Sequence, residues 1–173
     1  LCKMEQQHFL KKLKDISCFV FDVDGVFTNN QLIASEDGDL LRSFNAKDGF
    51  ALKTAIEKQF QVCIITGGTS AAVHKRFDLL GVQHNYYRVS NKLKVLHEFL
   101  NKENISAENV LYIGDDIPDY EAMAICGVKC CPNDAVPEIQ SIADYICMQK
   151  GGDACVREVI EMVLKVHGKW FSF

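Results

Sequence analysis

Ser17-Cys18-Phe19-Val20-Phe21-Asp22-Val23-Asp24-Gly25 is the stretch from which the fold follows. Its apolar residues are aromatic or β-branched and run without alternation, the pattern of a strand buried on both faces. Asp22 and Asp24 come directly at its carboxyl end. Carboxylates at the end of a buried strand are costly unless something pairs with them. Two readings stand on this stretch alone: a divalent cation held by oxygen ligands, or an Asx-turn that ends the strand with Gly25 as the turn residue.

Working outward, the same unit recurs. Strand-like runs occupy residues 61–65, 85–89, 110–113, 128–131 and 145–147. Helical periodicity covers 48–59, 69–80 (closed by Gly81), 92–102, 118–125 (stopped by Gly127) and 156–166. Alternation of this kind predicts a three-layer, Rossmann-like α/β fold, a parallel sheet with helices on both faces. Ligands in such sheets bind at the carboxyl ends of the strands, which directs attention to the loops after Val23, Ile65 and Ile113. Residues 28–44 break the pattern. Two strand-like pieces flank Ser35-Glu36-Asp37-Gly38, and Asp37-Gly38 signals a β-hairpin. No repeat or linker divides the chain, so residues 1–173 read as one domain.

The loop after Ile113 reads Gly114-Asp115-Asp116-Ile117-Pro118-Asp119. Asp116 or Asp119 can cap the following helix, with Pro118 in its first turn, and that leaves Asp115 for a metal. Two acidic strand ends facing one crevice repel unless a cation lies between them, and this favours the metal reading. The loop after Ile65, Thr66-Gly67-Gly68-Thr69-Ser70, puts hydroxyls and free amides at a helix start. That suits a phosphate group and equally suits ordinary capping. Lys92 opens the next helix, where the helix dipole disfavours a cation. It is either a solvated surface lysine or the counter-charge of an acidic, phosphate-bearing pocket.

Composition narrows the classes. A net charge of −4 with no dense Lys/Arg cluster argues against a nucleic-acid partner. No apolar run approaches the ~18 residues of a membrane span; Val62-Cys63-Ile64-Ile65 is a strand-sized piece. Residues 1–13 are polar and charged, so no secretion signal is expected. The eight cysteines form no C-x-x-C pair and read as reduced thiols of a cytoplasmic protein. The five histidines show no ligand spacing.

The order DVDG (22–25), ITG (65–67), Lys92 and GDDIPD (114–119) resembles the haloacid dehalogenase superfamily of phosphotransferases. FNAKDGFAL, VSNKL, YIGDDIPD and KGGDACVREV resemble its subfamily of 3-deoxy-D-manno-octulosonate 8-phosphate phosphatases, over about residues 16–166. The resemblance implies a phosphoric monoester hydrolase of lipopolysaccharide precursor biosynthesis, without a separate cap domain. Asp22 would attack phosphorus, and Asp24 would protonate the leaving oxygen and then activate water. Magnesium would sit on Asp22, the Asp24 backbone carbonyl and Asp115, with Thr66 and Lys92 on the phosphoryl group. The keto-sugar acid would meet Asp24, Lys92, Asn45, Ala46, Lys47, Asp48, Gly49 and Arg76. Family members resemble homotetramers whose hairpins pack together and whose neighbours help to close each site. Residues 151–154 and 170–173 are candidates for reaching a neighbour or for packing on their own subunit. Two positions depart from enterobacterial-type members: Lys53 and Gly68 stand where those have Arg. Lys53 keeps charge without the bidentate fork and Gly68 keeps neither. Arg42, Lys75 or a neighbouring subunit then supplies the charge, or the substrate is a nine-carbon keto-sugar acid 9-phosphate. A non-catalytic assembly domain is the third reading.

Overall fold

A computed structural model of the chain describes residues 3–171. β1 (Cys18–Phe21) lies mid-sheet, flanked in parallel by β4 (Gln61–Ile65) and β6 (Val110–Ile113). β5 (His84–Tyr86) extends the sheet beyond β4, while β7 (Val128–Cys131) and β8 (Tyr145–Ile146) extend it beyond β6. All six strands are parallel. The chain builds away from β1 in both directions, so the crevice above β1 is the topological switch point where such sheets bind ligands.

Both faces of the sheet are buried, as the continuous apolar strands require. Phe19 and Phe21 point to one face with Ile64, Leu111 and Ile113. They pack there with Leu52 of α2 (Ala46–Glu57), Phe77 of α3 (Ala71–Leu79) and Ile160 of α7 (Cys155–Val166). Cys18, Val20, Cys63 and Tyr112 point to the other face. Their partners include Leu96 and Phe99 of α4 (Lys92–Glu103), Met123 of α5 (Tyr120–Ala124) and Ile139 of α6 (Pro137–Ile142). The seven described cysteines are buried free thiols, several of them in these cores; Cys2 lies outside the described residues.

Several expectations need adjustment. The helix expected at 118–125 is a 3-10 turn, Ile117–Asp119, followed by the short α5. Gly127 lies hard against the Glu108 carbonyl, where a Cβ would collide. The hairpin expected over 28–44 pairs only β2 (Ile33–Ala34) with β3 (Leu40–Leu41), turned at Asp37-Gly38, with Gly38 at φ +85°. Its Leu32, Ile33, Leu40 and Leu41 are exposed. Two helices were not foreseen. One is α1 (Lys3–Lys14), held by buried Leu13 and by Phe9 stacked on Tyr145. The other is the six-residue α6, with proline at its first turn. Trp170 and Phe171 pack on Phe50 of their own subunit; residues 172–173 lie outside the described part.

Candidate active site

The strand ends create the site. β1 delivers Asp22, β4 delivers Thr66 and β6 delivers Gly114-Asp115. Lys92 arrives on the first turn of α4, whose N-cap Asn91 accepts from the Lys94 amide at 2.8 Å. A crevice of about 350 Å³ is lined by Asp22, Asp24, Thr66, Lys92, Asp115 and Asp119, together with Asn30, Gly67 and Gly68.

Three of these carboxylates converge. Asp22, Asp115 and Asp119 each place an oxygen within 4.8 Å of the other two, and all three are buried. Lys92 is buried too, with its Nζ 2.9 Å from Asp22 Oδ1 and 2.8 Å from Asp119 Oδ1. Tyr112 Oη also donates to Asp119 Oδ1, at 2.8 Å, while Asp119 Oδ2 has no partner. Asn30, in left-handed backbone at φ 61°, donates to Asp115 Oδ2 at 2.7 Å. One ammonium for three buried carboxylates leaves the cluster short of positive charge, and ionisation reflects this. Burial, reinforced by Asp119, pushes Asp22 up to about 8 despite Lys92. Burial lifts Asp115 to about 6, against the pull of the Asn30 hydrogen bond. Burial lowers Lys92, but Asp119 and Asp22 more than offset it and hold its ammonium above the ordinary range. Hard carboxylate oxygens, a charge deficit and an orphaned buried oxygen fit a divalent cation such as magnesium.

Around the cluster, Thr66 is buried and its Oγ1 accepts from the Gly68 amide at 3.1 Å. Asp24 is held from the hairpin. Arg42 donates through Nε to Oδ1 at 2.6 Å and through Nη2 to Oδ2 at 3.0 Å. Gly151 and Gly152 brace the loop that follows β1. Gly152 N donates to Val26 O at 2.9 Å, and a Cβ on Gly151 would strike the Gly25 carbonyl.

The structure thus brings Asp22, Asp24, Thr66, Lys92 and Asp115 together. It does not bring Asn45, Ala46, Lys47, Asp48, Gly49 or Arg76 to that crevice within one chain. Asn45 is the N-cap of α2, accepting from Lys47 N at 2.9 Å, and Ala46 and Lys47 are exposed. Asp48 is 1% exposed and accepts from Arg157 N at 2.7 Å, in the first turn of α7. Gly49 lies against the Arg76 guanidinium. The capping reading holds for Asp116, which accepts from Ile117 N at 2.8 Å, but not for Asp119, which makes no side-chain cap. Asp119 and Asn30 went unread as site residues, while Arg42 was weighed only as a replacement charge. Only Asp119 carried a signal, its position four residues after Asp115, one tight turn away.

A family model for haloacid dehalogenase-like hydrolases matches residues 86–159. The 3-deoxy-D-manno-octulosonate 8-phosphate phosphatase of Salmonella typhi is 36% identical over 162 residues, which is 94% of this chain and 86% of that protein. This chain belongs to that phosphatase family, within the haloacid dehalogenase-like hydrolases. The structure of the phosphatase from Moraxella catarrhalis, in complex with magnesium, phosphate and the sugar acid KDO, superposes at TM-score 0.90 with 32% identity. The superposition covers 92% of each chain. A cobalt-bound phosphatase of the same family from Haemophilus influenzae matches at TM-score 0.87 and 30% identity, covering 91% of this chain and 92% of that one. The acidic cluster above β1 offers one ligand oxygen from each of Asp22, Asp115 and Asp119 to a metal ion.

Proposed function

We propose that the chain hydrolyses 3-deoxy-D-manno-octulosonate 8-phosphate to the free sugar acid and phosphate, with magnesium as cofactor. The observation that carries this is the buried Asp22–Asp115–Asp119 cluster with Lys92 inserted beside it, in a chain that matches such phosphatases over nearly its whole length. Asp22 attacks phosphorus, and the bond from phosphorus to the sugar oxygen breaks. Asp24 gives that oxygen its proton. Water then attacks the aspartyl-phosphate at phosphorus while Asp24 takes the water's proton, and phosphate leaves with Asp22 restored. Splitting the hydrolysis in this way replaces one hard step with two easier ones. Thr66 and Lys92 hold the phosphoryl oxygens. Magnesium, held by Asp22, Asp115 and the Asp24 backbone carbonyl with Asp119 beside them, supplies neutralisation of phosphoryl charge.

The chain acts as one domain without a separate cap. Segment 45–49 and Arg76 serve the crevice of a neighbouring copy in a homotetramer. Exposed Lys47 and the exposed apolar hairpin residues support this, because an uncapped site has to exclude water by some other means. The enzyme is cytoplasmic, a reading supported by its free thiols; no described helix is long and apolar enough to cross a membrane. A nine-carbon keto-sugar acid 9-phosphate is the second reading, favoured by Lys53 and Gly68. Phosphate release from the eight-carbon and nine-carbon acids, compared at equal magnesium, decides between them. Higher kcat/KM on the nine-carbon acid overturns the eight-carbon assignment.

A further inference from the structure

Five aspartates line the crevice, and Lys92 is the only cation among its described lining residues, committed to Asp22 and Asp119. A keto-sugar acid phosphate brings a carboxylate as well as a phosphate, and among the described lining residues no second cation answers the carboxylate. Arg42 is the nearest answer. Its side chain is only 6% exposed although it stems from the exposed hairpin, and its Nη1 donates to Leu40 O at 2.9 Å. The guanidinium lies across the face of Gly68, with Nη2 3.6 Å from where a Cβ would stand. A Cβ at 68 would sit in van der Waals contact with Asp24, Thr66 and Arg42. Nε and Nη2 together occupy both oxygens of Asp24. The fork uses one lone pair on each oxygen and fixes the plane of the carboxylate, so Asp24 is held toward Arg42 rather than turned to a leaving group or a water.

The geometry points to Arg42 as the specificity residue for the substrate's carboxylate, parked on Asp24 until that carboxylate arrives. A planar guanidinium binds any carboxylate by the same two-point fork, so the substrate's acid group can take the place of Asp24. The exchange binds the acid end of the sugar and frees Asp24 to face the reacting oxygen. A neutral-sugar phosphate offers no exchange partner and leaves Asp24 engaged. This inference rests on the keto-sugar acid reading above.

The test is the ratio of kcat/KM for the keto-sugar acid phosphate to that for glucose 6-phosphate, a primary sugar phosphate without a carboxylate. It is measured on wild type, Arg42→Met and Arg42→Lys, each checked for folding by thermal melting. Arg42→Gln replaces Arg42→Met if the latter does not fold. The expected result is a wild-type preference that falls at least about tenfold in the uncharged variant, the scale of a lost charge-assisted pair. Lys, which keeps charge without the fork, falls between the two. A preference that survives intact without the guanidinium overturns this inference alone. A wild type with no preference for the acid overturns the substrate reading and this inference together.

Discussion

Replacing Lys92 with Met removes the one ammonium that offsets two buried carboxylates. Lys92 is 6% exposed, Asp22 7% and Asp119 0%, and the two contacts are 2.9 and 2.8 Å. Removing one partner from a buried ion pair costs about 3–5 kcal/mol, because the charge left behind stays desolvated. Proton uptake by Asp22, already raised by burial, sets the lower end of that range. For a chain of this size about 1 kcal/mol moves the melting midpoint by roughly 2–4 °C, so the variant should melt roughly 6–20 °C below wild type in EDTA. Adding magnesium should stabilise the variant more than the wild type, since the cation then meets three carboxylates with no ammonium beside them. The assay is urea and thermal unfolding of both proteins, with EDTA and with saturating magnesium. A deficit under about 1 kcal/mol in EDTA, where surface pairs fall, would refute the charge accounting. So would equal stabilisation of both proteins by magnesium.

Three further outcomes are expected. Gly151→Ala drives a methyl group into the Gly25 carbonyl, which is backbone and cannot swing aside; stability should fall by about 1–3 kcal/mol and kcat more than KM, and unchanged kinetics would show that the Gly-Gly segment does not set the Asp22 loop. Asp48, raised by burial to about 6, binds protons more tightly folded than unfolded, so its contribution is fully present below about pH 4 and is lost as pH rises through about 6; Asp48→Asn should flatten that part of the stability–pH curve, and an unaltered curve would contradict the burial argument. Asp119→Asn should weaken magnesium binding, followed as the magnesium-dependent rise in melting midpoint, and an unweakened rise would remove Asp119 from the metal end of the crevice.

The fold was legible because β1 and β6, and β4 after Gln61, are unbroken apolar runs, and strand ends locate their own loops. Asp22 and Thr66 follow β1 and β4 directly and Asp115 follows β6 after Gly114, so reading the strands placed them. Lys92 was legible as a helix-opening residue with no local reason to be there. What escaped depends on distant partners. Asn30 reaches Asp115 across 85 positions, and Asp48 meets the α7 amide of Arg157 across 109. No local pattern encodes either contact; Asp48 was assigned to substrate on the family resemblance alone. Arg42 was weighed only as a replacement charge, and its fork on Asp24 exists because the hairpin folds over Gly68. Asp119 shared with Asp116 the reading of a helix cap because both sit where caps occur, while its burial beside Lys92 depends on the 3-10 turn. Helix α1 is masked in sequence by its lysines, and its docking rests on few apolar side chains, Phe9 and Leu13 among them.

The central claim is that Asp22 is the nucleophile of a magnesium-dependent phosphatase. Phosphate release from 3-deoxy-D-manno-octulosonate 8-phosphate, measured for wild type and Asp22→Asn with magnesium and with EDTA, tests it most directly. Release by the wild type only when magnesium is present, and none by a folded Asp22→Asn protein, is the predicted result. Substantial turnover by Asp22→Asn, or wild-type turnover unaffected by EDTA, would contradict it.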